Sequence, residues 1–230
     1  MKKYVYLLFI VAVVLGITSG CEKHDYAKEF KNDYESINGQ ANASGKIHRT
    51  VTIDEKNLFV ETTAEEIVKM IENKETFYVY FGSRLCPWCR STIEMADKVS
   101  RENGVTKIYY VDIWDDEGKE ILRDKYSLND EGIPELVQEG TASYKKLVEI
   151  LDEFLREYTL TNKDGEEVST GEKRIYAPNY FYFRDGECKR MTTGKSSLQT
   201  DSREELTEEM LNDEKIKFND FFPNYCDDLC

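Results

Sequence analysis

The segment from Phe77 to Cys89 constrains the fold more than any other part of the chain. Phe77-Tyr-Val-Tyr-Phe81 is an unbroken aromatic and apolar run, the pattern of a central strand buried on both faces. Gly82 and Ser83 break it, and Cys86-Pro-Trp-Cys89 follows. Beyond it Ile93, Ala96 and Val99 recur at helical spacing until Asn103-Gly104, a helix stop. A buried strand, a short loop, a C-x-x-C and a helix form the context in which a dithiol does redox chemistry.

The spacing explains why. On a helix, residues i and i+3 share one face. A cysteine at the N-terminus and one a turn inside can therefore close a disulfide with little backbone movement. The first sulfur also meets the positive end of the helix dipole and unpaired backbone N–H groups. Cys86 is thus expected to be the low-pKa nucleophile and Cys89 the shielded resolving thiol. Pro87 suits the first helical turn, where its missing N–H costs nothing. Arg84 and Arg90 flank the pair and are expected to add positive potential. Two other readings compete. As half of a zinc site the motif needs further ligands, but His24 and His48 are far upstream and Cys226 and Cys230 have an atypical x3 spacing. A purely structural disulfide is the other. The strand–helix context favours redox chemistry, which requires no metal and no cofactor.

The N-terminus reads as a targeting segment. Lys2-Lys3 precedes an apolar stretch from Tyr4 to Ile17, short for a membrane span but suited to a secretory leader. Thr18-Ser19-Gly20 and then Cys21 resemble a bacterial lipoprotein signal, which implies lipidation of Cys21 and anchoring to the membrane. Thr18 stands where that signal prefers Leu. Secretion with a free Cys21, or an uncleaved anchor, are the alternatives, and all three place the body outside the cytoplasm. The formal net charge is −14, and −16 without residues 1–20, which argues against nucleic acid as a partner. Besides Cys21 there are five cysteines, so with Cys86–Cys89 as one pair, one of Cys188, Cys226 and Cys230 is left over. Cys226–Cys230 is the nearest pairing; Cys188–Cys226 or Cys188–Cys230 would tie the tail to the core.

Elsewhere local signals suggest an outline. Residues 37–45 read as a loop or tether, Arg49–Ile53 as a first strand, and Leu58–Val60 as a short apolar patch. Thr63-Ala-Glu-Glu66 is a capping box opening a helix to Asn73. Lys107–Ile113 is the next strand, beside Phe77–Phe81. A weak helix is expected near Glu117–Tyr126. Ser143 is expected to cap a long one carrying Tyr144, Leu147, Val148, Leu151, Phe154, Leu155 and Tyr158 on one stripe. Asn-Lys-Asp-Gly, between Thr159–Thr161 and Glu167–Ser169, signals a hairpin. Pro178 enters an aromatic strand that turns at Asp185-Gly186 and returns through Cys188–Met191. Ser202-Arg-Glu-Glu205 is a second capping box. The acidic residues Asp201, Glu204, Glu205, Glu208, Glu209, Asp213 and Glu214 read as a solvated face, and Phe218, Phe221 and Phe222 as a tail that packs back.

With the C-x-x-C and the Ala177-Pro178 hairpin in hand, the chain resembles the thioredoxin superfamily. It is similar to extracytoplasmic thioredoxin-like lipoproteins of the bacteriocin transport accessory group. The resemblance covers about residues 61–113 and 174–211. It implies an α/β thioredoxin-like fold, a central mixed sheet flanked by helices, with a helical and hairpin insertion at about 115–173 after the third strand. Around it lie a leader (1–20), a tether and N-terminal extension (21–60) and a C-terminal tail (212–230), with the thioredoxin-like domain at 61–211. It further implies that Cys86 attacks, Cys89 resolves and Pro178 is a cis-proline, and that Ala177, Pro87 and Trp88 contact substrate. The chain departs from the superfamily at three places. Leu85 replaces a Trp, Pro-Trp stands between the cysteines instead of Gly-Pro, and Tyr80 occupies the place of a buried Asp that assists proton transfer at the resolving thiol. Tyrosine is a poor base at neutral pH. The implied function is a membrane-anchored, extracytoplasmic thiol–disulfide oxidoreductase. Its partners would be protein or peptide thiols and disulfides and a separate redox partner. The alternative is a non-catalytic accessory protein in peptide export or folding.

Overall fold

The computed structural model describes residues 24–222. They form an α/β unit around a five-stranded mixed sheet. In chain order the elements are α1 (Tyr26–Ser36), β1 (Phe59–Glu61), α2 (Ala64–Glu72), β2 (Phe77–Gly82), α3 (Pro87–Glu102) and β3 (Ile108–Asp112). The insertion contributes β4 (Lys125–Leu128), β5 (Pro134–Gln138), α4 (Ala142–Ile150), β6 (Arg156–Thr161) and β7 (Glu167–Arg174). Then come β8 (Asn179–Arg184), β9 (Glu187–Thr192) and α5 (Glu208–Phe221). The sheet order is β1-β3-β2-β8-β9: β1, β3 and β2 run parallel, and β8 and β9 are antiparallel to their neighbours.

Side-chain alternation along the central strands divides the core in two. Phe77, Val79 and Phe81 of β2 and Phe181 and Phe183 of β8 face α2 and α4, among Ile67, Ile71, Tyr144 and Leu147. Tyr78 and Tyr80, with Tyr180 and Tyr182, face the opposite way, toward α1, α3 and α5. The register puts Tyr80 opposite Tyr180, and their rings stack at 4.5 Å; Tyr110 of β3 stacks on Tyr80 at 5.4 Å. One face of the sheet is therefore phenylalanine-rich and dry, whereas the other buries a row of hydroxyls. A buried hydroxyl needs a partner. Tyr34 of α1 supplies one, its hydroxyl 2.8 Å from that of Tyr80, and Tyr110 donates to Asp112 at 2.6 Å.

Several local expectations are met. Thr63 caps α2 by accepting from the Glu66 amide, and Asn103 ends α3. β6–β7 and β8–β9 are the hairpins their turns announce.

Others are corrected. Arg49–Ile53 is extended but unpaired with any strand: its amides bond instead to side chains, Val51 to Asn38, Thr52 to Glu94 and Ile53 to Glu35. The first strand is the Leu58–Val60 patch, one residue on. The segment at 21–60 is no mere tether where it is described, because Phe30 and Tyr34 of α1 are core residues packed on Phe59 and Tyr110. No helix forms at Glu117–Tyr126. The last two residues of that segment instead begin the β4–β5 hairpin, whose turn is held by the Asn129 side-chain oxygen accepting from the amides of Glu131 and Ile133. The Tyr144–Tyr158 stripe is not one helix. Thr141, not Ser143, caps α4, which ends at Ile150; Phe154 lies in a 3-10 turn and Tyr158 on β6. Ser202 opens no helix, since Glu204 instead accepts from the Thr200 and Asp201 amides, and α5 starts from a Thr207 cap. The supposed tail boundary at 212 falls inside α5, which carries Phe218 and Phe221 into the core.

Residues 1–20, Cys21, Cys226 and Cys230 lie outside the described residues, and with them the lipidation site and the tail disulfide. Among the described residues no helix is long and apolar enough to cross a membrane.

Candidate functional site

β2 carries the chain into the sheet's edge loop, where Ser83 turns it. The Ser83 carbonyl accepts from the Cys86 amide at 3.1 Å, and its hydroxyl accepts from the Leu85 amide at 3.3 Å. Cys86 then becomes the N-cap of α3, in extended conformation, and its sulfur accepts from the Cys89 amide at 3.3 Å. A thiol here does what serine or aspartate does at other N-termini, satisfying an orphan donor. Pro87 takes the first helical position. Cys89 lies one turn in and is fully buried, whereas Cys86 keeps 4% of its surface. Both are free thiols.

The chain returns to this point 91 residues later. The Ala177–Pro178 peptide is cis, and the Cys86 sulfur lies 3.6 Å from the Ala177 carbonyl oxygen. Pro178 is buried at the entry to β8, and Ala177, Pro87 and Trp88 are half-buried around the sulfur pair. The six residues expected from the C-x-x-C and the proline hairpin, Trp88 among them, are thus brought together.

The two thiols are driven apart in acidity. Burial opposes ionisation of Cys86, but hydrogen bonds from the Cys89 thiol and the Cys89 and Trp88 amides, and then the charge of Arg123, outweigh it and lower its pKa. Burial, the hydrogen bond to Cys86 and the negative charge there push Cys89 well above the ordinary thiol range. Such a split is what a nucleophile and a resolving thiol require.

The positive charge does not come from the expected source. Arg90 is buried and spent on structure, donating to the carbonyls of Tyr34, Arg49 and Arg84. Arg84 pairs with Asp33 and Asp116. The cation acting on Cys86 is Arg123, held in a buried cluster where it and Arg174 share Glu120. One carboxylate between two guanidiniums leaves a net positive charge beneath the site. Lys195, in the loop after β9, is the second missed cation. Its ammonium lies 4.2 Å from the centre of the Trp88 ring. Burial and then Arg156 lower its pKa, and the Cys86 sulfur opposes them.

Cys188 of β9 is half-buried, its thiol pushed up to about 12 by burial, and it takes no part in the site. Among the described residues no group of three or more His, Cys, Asp or Glu is arranged to hold a metal. In the comparisons with known proteins, no family model matched this chain and no curated protein matched its sequence.

Proposed function

We propose that the chain is a thiol–disulfide oxidoreductase on a thioredoxin-like scaffold, exchanging disulfides with other proteins. The carrying observation is the Cys86–Cys89 pair itself: an acidified thiol at a helix N-terminus, a suppressed one a turn inside, and a cis-proline peptide presenting its carbonyl to the first sulfur. The sheet order and the place of Pro178 before β8 support the scaffold.

In the reducing direction the Cys86 thiolate attacks a substrate disulfide. An S–S bond forms between Cys86 and one substrate sulfur, and the other leaves with the electron pair and takes up a proton. Cys89 then loses its proton and attacks Cys86, forming the intramolecular disulfide and releasing the second substrate thiol. The oxidising direction is the reverse. Stabilising the Cys86 thiolate favours the reduced form and so adds oxidising power. The Ala177 carbonyl is placed to accept a hydrogen bond from an extended substrate backbone. The leader and Cys21 support the extracytoplasmic, lipid-anchored setting, where dithiols meet oxidising conditions.

The test is disulfide exchange with insulin and oxidation of a reduced protein, using wild type and Cys86→Ala. Wild type is expected to turn over and Cys86→Ala to be inactive; equal rates would end this reading.

A second reading, an accessory binding protein on the same scaffold, is favoured by the insertion, whose β4–β5 hairpin exposes Ile133, Leu136 and Val137. It requires the double Cys86→Ser, Cys89→Ser variant to keep full biological activity.

A further inference from the structure

Cys89 poses a chemical problem that its own surroundings do not solve. To attack the mixed disulfide it must shed a proton, yet it is fully buried and its ionisation is opposed by burial and by Cys86. The Tyr80 hydroxyl, hydrogen-bonded to Cys89, is itself buried and held by Tyr34, and burial keeps it protonated at neutral pH, so it has no free place for another proton. A group that can hold that proton has to lie elsewhere.

Among the described residues, one buried acid has no structural task. Glu214 lies on α5 in the stripe Met210, Glu214, Phe218 and Phe221, on the face that packs against the sheet. It is 0% exposed, and among the described residues no side chain donates a hydrogen bond to either carboxylate oxygen, although the Ser196 amide pulls on the carboxyl. Buried carboxyls are ordinarily paired, so an orphaned one calls for an explanation. A second buried polar group feels its charge. One helical turn on from Glu214, Phe218 packs edge-on to Tyr180 at 5.2 Å. The Tyr180 hydroxyl, also fully buried, makes no well-formed hydrogen bond, although the Thr92 and Tyr80 hydroxyls lie close enough to act on it. Tyr180 stacks on Tyr80 at 4.5 Å, and its hydroxyl is acted on by Thr92 and Cys89 of α3 and by Glu214 of α5.

From this arrangement we propose that Glu214 is the proton acceptor for Cys89, reached through the Tyr180 hydroxyl. This deepens the oxidoreductase reading and rests on it. In the resolving step the Cys89 S–H bond breaks, the proton passes to the Tyr180 oxygen, and Tyr180 gives its own proton to the Glu214 carboxylate. The Cys89 electron pair forms the bond to Cys86 sulfur, and the bond from Cys86 to the substrate sulfur breaks, its pair leaving on the substrate thiolate. In the oxidising direction the proton returns by the same path.

The charges around Glu214 are compatible with this task. Burial raises its pKa to about 8, against the pull of Arg49 from the coil before β1, Lys217 on α5 and the Ser196 amide from the loop after β9; Asp213 adds to the rise. An acceptor that titrates near the working pH is the effective kind. Asp213 is itself occupied, accepting from Ser196, Ser197 and Lys217, which leaves Glu214 as the buried carboxyl of α5 without such side-chain partners.

The experiment follows the resolving step alone. The full-length protein is converted to a mixed disulfide with 5-thio-2-nitrobenzoate at Cys86, and release of the coloured thiolate by Cys89 is timed across pH 5 to 10. Cys89→Ser marks the background. Wild-type release is expected to rise with pH through an inflection near 8. Glu214→Gln is expected to slow release at pH 8 at least about tenfold and to remove the inflection. Tyr180→Phe, which keeps the ring, is expected to do the same, and the double variant to be no slower than either. Alkylation of Cys86 by iodoacetamide should be unaltered in all three. Unchanged release and pH profile in Glu214→Gln overturn the proposal while leaving the oxidoreductase reading intact. Wild type releasing no faster than Cys89→Ser overturns both.

Discussion

At the scale of single residues, the two thiols of the candidate site differ because one sulfur caps a helix and the other does not. Cys86 accepts from the Cys89 amide and feels Arg123, whereas Cys89 is buried beside the charge that Cys86 carries. Alkylation of the reduced protein near neutral pH is therefore expected at Cys86 well before Cys188, whose thiol titrates at about 12, and peptide mapping of the labelled sites checks this order. Lys195 contributes to the same bias from the substrate side, its ammonium over Trp88 and felt by the Cys86 sulfur. Lys195→Gln is expected to slow Cys86 alkylation about two- to fivefold, as befits a partly solvated charge interaction of roughly 0.5–1 kcal/mol. The effect should shrink as salt is added. An unchanged rate at low salt would show that Lys195 serves only to cover the indole.

At the scale of elements, the site depends on α5 as much as on α3. Gly194, in the loop that carries Lys195, has φ +68°, and a Cβ there would lie 2.0 Å from the Phe218 ring. Gly194→Ala is expected to destabilise the fold by about 1–3 kcal/mol through strain and the displacement of Phe218, read as a lower urea midpoint. The same contacts show why some of this was legible in the sequence and some not. β2, the cysteine loop and α3 are written in short-range patterns: a continuous apolar run, a thiol spacing and a 3.6-residue period. Pro178 and Asp185-Gly186 likewise act locally, and the six expected site residues are brought together. The insertion misleads because the apolar spacing from Tyr144 to Tyr158 suits a helix, but the β-branched Thr159 and Thr161 and the Asn162–Gly165 turn draw the second half into β6. Arg123, Glu120 and Lys195 carry no local signal; their roles come from where the insertion and the β9 loop fold back. Glu214 did carry one. It stands four residues after Met210 and four before Phe218, an acid inside an apolar stripe, hidden by the acidic residues around it.

At the scale of the whole molecule, that acid makes stability depend on pH in a definite direction. Glu214 titrates at about 8 in the folded chain against 4.5 in the free side chain. Between those values the folded state holds a proton that the unfolded state has released, so folding stability falls as pH rises through this window. From pH 5 to pH 7 the loss from this one group is about 2–3 kcal/mol, a large share of a typical domain's stability. Asp213 shifts the other way, to about 2, and its contribution is complete below this window. Asp33, Asp97 and Asp112 are raised by burial, and they add slope in the same direction as Glu214. The informative quantity is hence the difference between wild type and Glu214→Gln, measured by urea unfolding at several pH values. The two curves should converge at pH 5 apart from a constant offset for the buried amide, then separate toward pH 8, with the wild type losing stability faster. Parallel curves would mean that Glu214 ionises as readily as an exposed acid, which would also remove its basis as a proton acceptor. A carboxyl that weakens the fold most at the pH where it would take up a proton is the compromise expected of a buried acid kept for chemistry.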